Sequence, residues 1–222
     1  AELAPKEVAR LKEWRRTLGG PYTKADATRL ARLSERVDAL YAQAVRERRR
    51  VLDFSRSHAP VWGQPDPAPP LGGYPSLAKR DRALALLRQP DGAYGRLAAA
   101  MDLWAALWAW PIEEAAALPT PERYWAELER LLGVESGAPP RELEAQLLLL
   151  ERAPDGASDP PAPAASGSPP PTAPEPSRLL EIARQTSARL RPLHWELELA
   201  EVFVERGGRS EEHTSELQSH HP

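Results

Sequence analysis

The chain has 222 residues, 41% hydrophobic and 27% charged, which fits one globular domain, or one domain with appendages. No apolar run reaches the roughly 18 residues of a membrane span. Cysteine is absent, which excludes disulfides, thiolate metal sites and cysteine nucleophiles, and a net charge of −3 supplies no global basic field for nucleic acid. The start, Ala1 to Lys6, lacks the charged and apolar regions of a signal peptide, so a cytoplasmic protein is expected. It also lacks an initiator Met, and we expect a piece of a longer chain.

Residues 6–18 predict a short helix, with Val8, Leu11, Trp14 and Leu18 at helical spacing, stopped by Gly19, Gly20 and Pro21. Residues 24–52 predict a long amphipathic helix. Leu30, Leu33, Val37, Leu40, Tyr41, Ala44 and Val45 form its apolar stripe, and arginines crowd the other face up to Arg46, Arg48, Arg49 and Arg50. Residues 55–75 hold six prolines and three glycines and read as a loop. Helices are predicted over 76–89, with Ser76 as a possible N-cap, and over 93–110 after the Asp91-Gly92 turn. Thr120-Pro121-Glu122 is a helix start, carried through Tyr124, Trp125, Leu128, Leu131 and Leu132 and ended by Gly133. A further helix is predicted over 140–151.

Residues 153–176 are Pro, Ala, Ser, Gly, Thr and Asp with almost no bulky apolar residue, so a disordered linker is expected. A helix is expected over 177–190. From Leu193 to Val204 apolar and polar residues partly alternate, which predicts a strand. A lone strand needs partners for its backbone groups, so this one would belong to a sheet completed elsewhere. Residues 209–222 lack periodicity and resemble the translation of a short-read sequencing adapter. We expect them to be an artefact, which removes His213, His220 and His221 from any metal-site reading.

No phosphate loop, glycine-rich dinucleotide turn or metal-ligand spacing is present. His58 lies in the Pro-rich loop and reads as solvent-exposed. His194 precedes Trp195, Glu196 and Glu198, and reads as a strand-edge imidazole beside acids on a solvated face. Trp104 and Trp108 share a helical face with Trp110 nearby, so packing in the core is the first reading and stacking on bases the sharper one. Arg46, Arg48, Arg49 and Arg50 are the candidates for phosphate contact, although Glu35, Asp38 and Glu47 interleave with the arginines.

Two segments carry a resemblance. One is Met101-Asp102-Leu103-Trp104-Ala105-Ala106-Leu107-Trp108-Ala109-Trp110-Pro111. The other runs Arg191-Pro192-Leu193-His194-Trp195-Glu196-Leu197-Glu198-Leu199-Ala200-Glu201-Val202-Phe203, followed by Glu205-Arg206-Gly207-Gly208. Together they resemble the large adenine-specific DNA methyltransferases of type IIG restriction–modification systems and of phage-defence systems such as DISARM and BREX. Leu193 stands where that family tends to have Phe, and Leu199-Ala200 where it has Phe-Pro.

The resemblance implies a Rossmann-like α/β methyltransferase as parent, with S-adenosylmethionine as donor and double-stranded DNA as partner, and other defence-system subunits as further partners. The target adenine would be flipped out of the duplex and held by an Asn-Pro-Pro-aromatic motif just beyond Gly208. The fragment would be mostly α: a helical insertion over 1–152, the linker over 153–176, and a helix and terminal strand over 177–208 leading to the catalytic loop. No catalytic or donor-binding residue carries over, so the fragment itself is expected to be inactive and to fold poorly alone. Trp104, Trp108, His194, Trp195 and Glu198 carry the motifs without an assigned role. Composition and periodicity alone fit two other readings, a non-enzymatic helical interaction protein and a nucleic-acid-binding accessory subunit.

Overall fold

The computed structural model describes residues 4–18, 20–56, 62–63, 73–134, 143–153 and 177–205. These residues are mostly helical, and no strand occurs among them. In chain order the helices are α1 (Pro5–Leu18), α2 (Lys24–Ser55), α3 (Leu77–Leu87), α4 (Ala93–Trp108), α5 (Pro121–Leu132), α6 (Leu143–Arg152), α7 (Arg178–Leu190), α8 (Trp195–Glu198) and α9 (Ala200–Glu205), with a 3₁₀ turn over Ile112–Ala117. The predicted loop around His58, the linker over 154–176 and the segment over 209–222 lie outside the described residues.

Helix α2 begins on a capping box. Thr23 Oγ1 accepts from Asp26 N at 3.2 Å, and Asp26 Oδ2 accepts from Thr23 N at 2.7 Å. Two otherwise orphaned donors are thereby satisfied. The helix buries Leu33, Leu40, Ala44, Val45 and Val51. Leu30 and Val37, expected in the same stripe, stay more than a third exposed, because the stripe is wider than the surface its neighbours cover.

Helix α4 lies at the centre. Ala93, Tyr94 and Leu97 join a core with Leu40, Ala44, Val51, Leu87, Leu147 and Leu197. One turn and more further on, Leu103, Ala106 and Leu107 join a second core with Trp14, Tyr124, Trp125, Leu179 and Ile182. Gly95 is set by packing: a Cβ there would come within 2.1 Å of the Gln89 carbonyl oxygen. The helix stops at Trp108, two residues before the predicted end. Trp110 then turns inward and donates from Nε1 to Glu114 O at 2.8 Å.

Helix α5 follows its local signals. Thr120 accepts from Arg123 N at 3.3 Å, Pro121 occupies the first turn, and Gly133 closes the helix at φ +71°. Arg29 of α2 grips Glu129 with two bonds of 2.6 Å, and Arg36 caps the Leu132 carbonyl at 2.8 Å. Ser76 precedes α3 as expected, but its side chain makes no capping bond.

The strand predicted over 193–204 is not formed, and α8 and α9 stand in its place. Without a neighbouring strand among the described residues, the backbone closes on itself. Glu198 N donates to His194 O at 2.8 Å, Leu199 N to Trp195 O at 2.9 Å, and Phe203 N to Leu199 O at 3.3 Å. Burial then follows the three-residue helical step from Leu197 to Ala200, while Trp195 and Leu199 face outward.

Candidate functional site

The two motif-bearing segments, far apart in sequence, meet in space. His194, on the turn before α8, places Nε2 2.8 Å from Asp102 Oδ1 on α4. The imidazole is mostly buried and the carboxylate about one-third exposed. Asp102 is the sole acid of α4, and Ser187 of α7 reaches its carbonyl at 3.5 Å.

Glu198 is the second fastening. Its Oε1 accepts from the Tyr94 hydroxyl, and its Oε2 lies 3.8 Å from Arg48 Nη1. Burial, then the hydrogen bond and charge of Glu198, push the Tyr94 phenol up to about 12. Tyr41 adds a bond of 3.0 Å to the Glu196 carbonyl, and Leu197 fills the core beneath. A hollow of about 440 Å³ opens here, lined by Val37, Tyr41, Met101, Trp104, Leu193 and His194. The reading of His194 as a strand-edge imidazole is therefore corrected: it is a joint between helices.

Trp195, beside it, is 61% exposed and points away. Trp104 and Trp108 are also not core residues, being 47% and 49% exposed. The buried face of α4 belongs to the smaller Leu103, Ala106 and Leu107. The two indoles meet edge to face at 5.5 Å, and Arg15 lies 5.7 Å from the Trp108 ring centroid.

The α2 arginines divide. Arg48 pairs with Glu198, Arg50 bonds Glu151 at 3.0 Å, and Arg49 also has a partner within the protein. Arg46 is exposed. Much of this cluster is thus engaged in contacts within the protein. Sequence reasoning did not single out Asp102 or Tyr94. A lone acid in an otherwise apolar helix was the available signal for Asp102.

No family model matches the chain, and neither does any curated protein or solved structure. Among the described residues no helix is long and apolar enough to cross a membrane. No glycine-rich strand-to-helix turn that could cradle S-adenosylmethionine occurs among them either. The described residues do not fit that donor.

Proposed function

We propose that this chain is an internal segment of a cytoplasmic, adenine-specific DNA methyltransferase of a restriction–modification or phage-defence system. The parent transfers a methyl group from S-adenosylmethionine to the adenine amino group of double-stranded DNA. Its donor-binding and catalytic motifs flank this segment in a Rossmann-like fold, and other defence subunits are its further partners. One observation carries the reading: the two motif-like segments close on each other through His194 and Asp102, separated by 92 positions. Glu198 adds its contacts to Tyr94 and Arg48. The segments that carry the resemblance thus form one joint, with a charged and hydrogen-bonded core.

In this reading the residues present hold and orient. Asp102 and Tyr94 fix the start and end of α8, so the chain leaves α9 in a defined direction. The experiment is a methylation assay on the protein encoded by the complete reading frame, with duplex DNA and labelled donor. Label recovered as N6-methyladenine is the expected result. An intact, folded protein that labels no adenine on any duplex tested overturns the proposal.

A second reading, a helical interaction protein, draws on the exposed Leu193, Trp195, Leu199 and Val202 and on the exposed Trp104 and Trp108. It gains if that protein forms a stable complex and transfers no methyl group.

A further inference from the structure

The sequence directs attention to the α2 arginines as phosphate contacts, yet Arg48 and Arg50 are held by Glu198 and Glu151. Two other arginines stand differently. Arg88, the residue that ends α3, and Arg184, on α7, line one hollow of about 390 Å³. Both are exposed, and neither guanidinium makes a hydrogen bond or ion pair with another described residue. The floor between them is made of small residues, Gly95, Ala98, Ala99 and Ala183, which keeps the hollow open to the helix backbones. Asp102 is the sole acid among the described lining residues, and its Oδ1 is taken up by His194.

We propose that Arg88 and Arg184 form a clasp for the phosphate backbone of duplex DNA. Each guanidinium presents a rigid fork of donors that matches a phosphate with two parallel bonds. The two residues, one just after α3 and one on α7, line one opening, and neither is paired with an acid among the described residues. The small-residue floor lets a phosphate approach where a larger side chain would fill the space. This inference rests on the methyltransferase reading only for the identity of the phosphate bearer.

The test is fluorescence anisotropy of the full 222-residue chain with a labelled 20-base-pair duplex over a series of salt concentrations. The Arg88→Ala/Arg184→Ala variant is expected to bind roughly tenfold more weakly at low salt. Its slope of log affinity against log salt should be shallower by about 2, one phosphate contact per arginine. Arg10→Ala/Arg123→Ala, which removes two exposed arginines elsewhere, removes the same charge and should stay within about twofold of the parent. Circular dichroism melting of each variant checks that the fold is retained. Equal weakening by both variants overturns the clasp in favour of general charge, and absence of binding by the parent chain overturns it outright. Binding through the clasp, together with no methyl transfer by the protein encoded by the complete reading frame, would leave the clasp standing and remove the methyltransferase. A functional methyltransferase whose DNA affinity ignores Arg88 and Arg184 would do the reverse.

Discussion

Helix α7 and helix α8 both rest against α4, but they are held by different physics. Helix α7 lays down Leu179, Leu180, Ile182 and Ala183, all nearly inaccessible, against Leu103 and Leu107. The α8 segment buries Leu197 and is otherwise fastened by polar links to Asp102, Tyr94, Arg48 and Tyr41. Apolar attachment is governed by shape and area, whereas polar attachment depends on pairing and is weak link by link. The first should resist salt and pH, and the second should be the first to loosen.

The largest effect should come from breaking the apolar side. Leu107→Ala removes a fully buried side chain and should destabilise the fold by about 2–5 kcal/mol, read from urea denaturation. Next, Glu198→Ala strands the Tyr94 hydroxyl and should cost about 1–3 kcal/mol. Hydrogen exchange should show the loss concentrated in residues 194–205, and Tyr94→Phe in the same background should recover part of it. Asp102→Asn should cost roughly 1 kcal/mol, again felt by α8 before α7. Thr120→Ala, which removes the α5 cap away from the joint, should cost about 1 kcal/mol and leave exchange in 194–205 unchanged.

Alkaline pH sharpens the same contrast. The phenols of Tyr94 and Tyr124 are both raised above the usual tyrosine value of 10.0, chiefly by burial. A folded-state value above the unfolded one means that the fold favours the protonated phenol. The Tyr94 contribution is therefore complete below about pH 10 and is lost as pH climbs toward 12, and that of Tyr124 is lost in the same direction. Absorbance titration should show late-ionising phenols, with Tyr94→Phe and Tyr124→Phe each removing one.

The same two regions separate what could be read from the sequence. Helices α1 to α7 were legible because caps, apolar spacing and stop signals agreed, as at Thr120, Pro121 and Gly133. The terminal segment was not legible. Leu193, Trp195, Leu197 and Leu199 alternate as a strand would, and the helical pair Leu197–Ala200 is too short a signal to outweigh them. Trp104 and Trp108 share a clear helical face, but its direction is not legible: Leu103, Ala106 and Leu107, one or two positions from a tryptophan, take the core. The pairing of His194 with Asp102 was invisible, since nothing in the periodicity of α4 says which distant side chain its single acid will meet.

The proposal that this segment belongs to an adenine methyltransferase can be decided by long-read sequencing of the source locus. The frame is expected to run past Gly208 into Phe-Asp and an Asn-Pro-Pro-aromatic motif within a few residues, with a glycine-rich donor motif upstream of Ala1. A frame that carries neither motif would contradict it.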